Sequence, residues 1–74
     1  MKLKDFLKYI SDEEVRIELE IDEGGDHDYI YESFWFSDYL MNPGKYIEYK
    51  KYEIKRISFL TEFSESEIQI QIKK

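Results

Sequence analysis

The stretch Val15-Arg16-Ile17-Glu18-Leu19-Glu20-Ile21-Asp22 decides how this chain is read. Four aliphatic residues alternate strictly with one base and three acids. That period of two belongs to a strand with one face buried and the other solvated. On a helix the same aliphatics would spread around most of the circumference. The upstream Ser11-Asp12-Glu13-Glu14 matches a capping box and by itself predicts a helix start. The alternation overrides it, so a strand is expected from about residue 14 to residue 22.

Working outward, Glu23 to Asp28 contains Gly24-Gly25 and reads as a turn or short loop. Residues 29–36 are aromatic and β-branched enough for a second strand, which makes residues 14–36 a hairpin. Ser37 can N-cap a short helical turn, and Asn42-Pro43-Gly44 ends whatever precedes it. Residues 45–50 suit either a helical turn or a strand. In the next segment Tyr52 and Ile54 share one parity, whereas Ile57, Phe59 and Thr61 share the other. One extra residue around Lys55-Arg56 reconciles them as a β-bulge. Ser64 to Glu67 is a polar turn, and Ile68, Ile70 and Ile72 alternate with Gln69, Gln71 and Lys73 in the clearest strand of all. At the other end, Leu3, Phe6, Leu7 and Ile10 follow helical spacing, so residues 2–10 are expected as an amphipathic helix.

The fold class that follows is α+β in a single domain, residues 1–74. An N-terminal helix packs on a four-stranded antiparallel sheet, with a short extra helix near residues 37–50. Composition agrees: ten Ile and five Phe favour strands, and the absence of Ala removes the best helix former. With no Cys there is no disulfide to staple a chain of 74 residues, so its core or an oligomer must hold it.

Charge is distributed unevenly. Between Lys8 and Lys45 stand one base and eleven acids, a net of −10 in a chain whose total is −6. Such a balance argues against direct nucleic-acid or membrane-surface binding and suits a basic protein partner. No segment is apolar for long enough to span a membrane, and no targeting signal is read, so a cytoplasmic location is expected.

Catalytic chemistry finds little to use. His27 is the single His, and its neighbours Asp26 and Asp28 are not thereby positioned to orient it. Asp22, Glu23, Asp26, His27 and Asp28 collect metal-ligand types, but their spacing fits neither a calcium loop nor a zinc site. A polar hairpin tip accounts for them equally well. Neither enzymatic activity, nor a metal, nor a cofactor is expected. What remains is a surface. Glu18, Glu20 and Asp22 should project from the outer side of the first strand, about 6–7 Å apart, close to the phosphate spacing of a nucleic-acid strand. Asp26, Asp28, Glu32 and Asp38 add charge nearby, and Tyr29, Tyr31, Trp35 and Tyr39 add the aromatic types that dominate interfaces. One short helix covers only one sheet face, so some of these aromatics should stay exposed. The same residues also suit a solvated face that keeps a small protein soluble.

The opening K-L-K-D-F-L-K-Y-I-S-D-E-E-V-R-I-E-L, the later Y-E-I-K-R-I-S-F and the final I-Q-I-Q-I-K-K resemble small phage- and prophage-encoded proteins of low-GC bacteria. The Lys, Ile, Tyr and Glu bias is that of an AT-rich gene. The resemblance implies a class: small acidic proteins that bind and block a host protein, anti-CRISPR and other anti-defence inhibitors among them. It carries no residue roles. The function expected is therefore a non-enzymatic inhibitor that docks Glu18, Glu20, Asp22, Asp26, Asp28, Tyr29, Tyr31, Glu32, Trp35, Asp38 and Tyr39 on a basic, nucleic-acid-binding site of a host protein. The alternative is a homodimer or larger self-associating module, in which the acidic hairpin of one copy meets the basic 45–56 segment of another.

Overall fold

The computed structural model describes residues 1–25, 29–46, 48–62 and 65–74. In chain order the elements are α1 (Leu3–Leu7), β1 (Arg16–Asp22), β2 (Tyr29–Trp35), α2 (Phe36–Met41), two 3-10 turns at Pro43–Tyr46 and Tyr49–Lys51, β3 (Glu53–Glu62) and β4 (Glu65–Lys73). The expected α+β arrangement is present: an N-terminal helix and a four-stranded sheet, with a short helix between its two hairpins. The strand order is β2-β1-β4-β3.

β1–β2 and β3–β4 are antiparallel hairpins, whereas the central pair β1–β4 is parallel. This pair departs from the all-antiparallel sheet expected from short links. Its cause is the connection between hairpins. β2 and β3 form opposite edges and point the same way, so residues 36–52 run back along the sheet and across it. Parallel crossovers need a dozen or more residues, and this segment supplies them as α2 and the two 3-10 turns.

The alternating strands are the two central ones. Ile17, Leu19 and Ile21 of β1 and Ile68, Ile70 and Ile72 of β4 point to one face and are buried. Leu3 and Leu7 from α1, Val15, Phe34, Phe36, Tyr46 and Tyr52 close over them. Burying each such aliphatic side chain contributes roughly 1.5–3 kcal/mol. Aromatics fill the rest of this layer: Phe34 stacks on Tyr46 with centroids 4.2 Å apart, and Phe36 stacks on Tyr39 at 5.5 Å. The edge strands carry mixed patterns because each has a neighbour on one side only.

α1 is shorter than its apolar spacing predicted. The helix stops at Leu7, and Tyr9 and Ile10 donate to Phe6 and Leu7 in tighter i→i+3 bonds. Phe6 and Ile10 still pack on the core as half-buried residues. So short a helix leaves the far end of β3 open, where Phe59 is 70% exposed. Ser37 does not cap α2, which begins one residue earlier. The Phe36 and Ser37 N–H groups, orphans at a helix start, donate instead to the carbonyls of Val15 (2.9 Å) and Glu13 (3.0 Å). Pro43 opens a 3-10 turn, where its missing N–H costs nothing. The bulge expected at Lys55-Arg56 is present: the β3–β4 register shifts between Ile54 and Arg56. In the β1–β2 link Gly24 adopts a φ of 93°, and its N–H donates to Asp22 Oδ1 at 2.9 Å.

Candidate functional site

α1, α2 and the 3-10 turns all lie on one side of the sheet. The other side is uncovered, and register fixes what it displays. From edge to edge its rows run Tyr29–Asp22–Lys73–Glu53, then Tyr31–Glu20–Gln71–Arg56, then Ser33–Glu18–Gln69–Ser58, then Trp35–Arg16–Glu67–Leu60. Read down the strands, the face has an aromatic column on β2, a carboxylate column on β1, a carboxamide column on β4 and a mixed column on β3.

The carboxylates are held in place by neutral donors. Gln71 Nε2 donates to Glu20 Oε2 at 2.7 Å, and Gln69 Nε2 reaches Glu18 Oε2 at 3.5 Å. Asp22 accepts from Gly24. The ion pairs formed among the described residues join the Met1 ammonium to Glu53 (3.3 Å) and Lys74 to Glu23 (3.9 Å), so none neutralises Glu18, Glu20 or Asp22. A shallow cleft of about 340 Å³ opens over Glu18, Glu20, Tyr31, Arg56, Ser58 and the two glutamines.

The two ends of the aromatic column differ. Arg16 sits 6.0 Å from the Trp35 ring centroid and donates from Nε to Ser33 Oγ at 2.9 Å. Trp35 therefore already has a cation of its own chain on its face. Tyr29 and Tyr31 have none among the described residues, and they flank Asp22 and Glu20. A carboxylate beside an uncapped aromatic ring suits a guanidinium or ammonium group, which meets charge and ring face together.

The face thus gathers six of the residues singled out from the sequence: Glu18, Glu20, Asp22, Tyr29, Tyr31 and Trp35. It does not gather Glu32, Tyr39 or Asp38. Glu32 pairs with Leu19 and lies on the covered side, near Tyr49. Tyr39 is half-buried there, between Phe34 and Phe36, with the Lys50 ammonium 5.0 Å from its ring. Asp38 is exposed on α2. Asp26, His27 and Asp28 lie outside the described residues, and with them the hairpin-tip metal reading. Among the described residues no three His, Cys, Asp or Glu side chains cluster as metal ligands would. No helix among them is long and apolar enough to cross a membrane.

The acids of the −10 stretch are therefore dispersed. Asp12, Glu13 and Glu14 occupy the turn before β1, and the Glu14 N–H donates to Asp12 Oδ1. Glu23 lies near the Tyr52 phenol. Burial first, and then Glu23, Glu48 and their neighbours, push the Tyr52 phenol above its ordinary range; burial first, and then Glu32, do the same to Tyr49. Arg56 is expected from the sequence in the bulge and in the basic 45–56 segment, but not on the docking face. The bulge turns it onto the open face, across Gln71 from Glu20. The parity slip that foretold the bulge was the available signal.

In comparisons with known proteins, no family model, no curated protein and no solved structure matches this chain.

Proposed function

We propose that this chain is a non-enzymatic binding module whose open sheet face docks on a basic site of a partner protein. The observation that carries it is the column Glu18, Glu20, Asp22. Three carboxylates without ion-pair partners among the described residues are fixed at strand spacing beside the rings of Tyr29 and Tyr31. Preset side chains lose little freedom on binding, and fixed charge speeds encounter. A basic nucleic-acid-binding groove has the complementary chemistry. A phage-encoded inhibitor of a host protein is the biological role this reading favours, on the strength of the sequence resemblance.

The test compares immobilised wild-type chain with the triple variant Glu18→Lys, Glu20→Lys, Asp22→Lys in host lysate. The wild type should retain a discrete basic protein, released by added salt and by nucleic acid, and the variant should not. Retention of the same proteins by both would remove the carboxylate column from the mechanism.

A second reading is favoured by the arrangement of the face itself. The acids of β1 and the bases Lys55 and Arg56 of β3 stand in separate columns across the glutamines of β4. Two copies placed face to face about a two-fold axis can set acids over bases. Light scattering over a dilution series decides it: a strict monomer at high concentration excludes this assembly.

A further inference from the structure

The two edges of the sheet are built differently. β3 carries the features that discourage pairing with another chain: Lys55 and Arg56, a bulge, and a covered start. Lys2 bridges Glu53, Leu3 donates to the Tyr52 carbonyl at 3.0 Å, and Ile54 donates to the Met1 carbonyl at 2.8 Å. Among the described residues β2 has none of these. Its seven residues, Tyr-Ile-Tyr-Glu-Ser-Phe-Trp, include no Lys, Pro or Gly, and their register with β1 is unbroken.

The direction of its free backbone groups follows from the hydrogen bonds at the strand ends. Phe36 donates to the Val15 carbonyl, and an antiparallel ladder alternates, so Ile30, Glu32 and Phe34 face β1. The Asp22 carbonyl accepts from Lys74 on the β4 side, which fits the same phase. The N–H and C=O groups of Tyr29, Tyr31, Ser33 and Trp35 therefore point away from the sheet. The Trp35 carbonyl is the exception, because Trp35 is the N-cap of α2 and its C=O accepts the first bond of that helix; no other backbone bond among the described residues takes the rest. Beside the second half of this edge lies a cleft of about 430 Å³ lined by Ser33, Trp35, Asp38 and Tyr46 together with the bases Arg16 and Lys45, so the acidic half of the edge, at Tyr29 and Tyr31, is where a basic segment is favoured.

The geometry points to β2 as a docking edge for an extended basic segment of a partner protein, added as a new outer strand. This rests on the binding-module reading and specifies how the partner engages. Charge selects the occupant. A second copy pairing through β2 would bring two chains of net charge −6 together along their acidic halves. A basic strand gains there instead. On its open-face side it would lie next to the uncapped rings of Tyr29 and Tyr31, with Glu20 and Asp22 one strand further in. On its other side it would extend the apolar layer past Ile30 and Phe34. The segment that fits alternates basic and apolar residues.

An octapeptide alternating arginine and valine is the probe, and one alternating glutamate and valine the control. By amide exchange, Tyr29, Tyr31, Ser33 and Trp35 should exchange fast in the free protein and slow at least about tenfold when the arginine peptide saturates it. Ile30, Glu32 and Phe34, already bonded to β1, should change little. Ser33→Pro removes one outward N–H without touching the β1 ladder and should weaken binding about tenfold. Ser33→Ala, which loses the Arg16 bond but keeps the N–H, should bind as wild type does. If the proline variant does not fold, exchange in the wild type decides. Perturbation confined to Glu18, Glu20, Gln69 and Gln71 would overturn edge addition while leaving face docking intact. Equal binding of the glutamate peptide, no binding of the arginine peptide, or protection of the four amides by protein concentration alone would each overturn it as well.

Discussion

Gln71 donates from Nε2 to Glu20 Oε2 at 2.7 Å, across the parallel pair β4–β1. The two residues are 51 apart in the chain and meet because the crossover sets these strands side by side. A hydrogen bond to a charged acceptor orients a side chain more firmly than solvent does. The adjacent Gln69–Glu18 contact, at 3.5 Å, is at the limit of such a bond.

These two contacts should separate in a stability measurement. Gln71→Ala is expected to cost about 1 kcal/mol, and Gln69→Ala less than about 0.5 kcal/mol. Urea midpoints at constant slope would provide the comparison. Equal losses would mean that the shorter contact fixes nothing.

The core predicts a steeper contrast. Leu19 and Ile70 are almost fully buried on the central strands, whereas Ile30, on the same face of the edge strand, is 38% exposed. Leu19→Ala or Ile70→Ala should each cost about 2–5 kcal/mol, a large fraction of what so small a domain has. Ile30→Ala should cost no more than about 1 kcal/mol. Thermal and denaturant unfolding read both.

The bulge can be tested by deletion. Removing Lys55 would leave Ile54 opposite Ile72 and Arg56 opposite Gln71, with regular pairing between them. That variant is expected to fold. Removing Ser58 instead shifts Ile57 and Ile54 against Phe59 by one residue and turns one set away from the core. It should not give a cooperative transition by circular dichroism.

Alkaline stability follows from Tyr52 and Tyr49, whose folded-state pKa values are raised, by burial foremost. In the unfolded chain these phenols ionise near pH 10. Above that pH the folded state holds protons that the unfolded state has released, so stability falls as pH rises toward the folded values and is fully present below about pH 10. Tyr52→Phe removes a phenol whose pKa burial raises and should weaken this alkaline loss. Unfolding midpoints from about pH 8 to about pH 11 test it, and an unchanged alkaline slope in the variant would refute the assignment.

Much of the fold was legible because strand periodicity is a local property. β1 and β4 alternate cleanly since each is flanked on both sides and must bury one face completely. Their aliphatic positions in the sequence are their buried positions in the structure. The same parity put Glu18, Glu20 and Asp22 on one side of β1, and Tyr29, Tyr31 and Trp35 on one side of β2. Glu32, expected on the docking surface, has the opposite parity on β2 and lies on the covered side. Less legible were the ends of helices. α2 is started by the Val15 and Glu13 carbonyls rather than by Ser37, and α1 is cut short at Leu7. Those outcomes depend on partners distant in the chain.

The sequence by itself determined the bulge and the two alternating central strands, because a pleated backbone sends alternate side chains to opposite sides wherever it is placed; it did not give the start of β4, which takes in Glu65 to Glu67 of the expected polar turn. Only the tertiary structure decided which strands are neighbours. Parallel pairing of β1 with β4 joins Glu20 to Gln71, faces the acids across glutamine to Arg56, and leaves β2 as an open edge. It also showed that the −10 stretch is not one display. A run of charge is contiguous in sequence, but folding sends its members to different sides, and among the described residues only the β1 column is held at fixed spacing on an open surface.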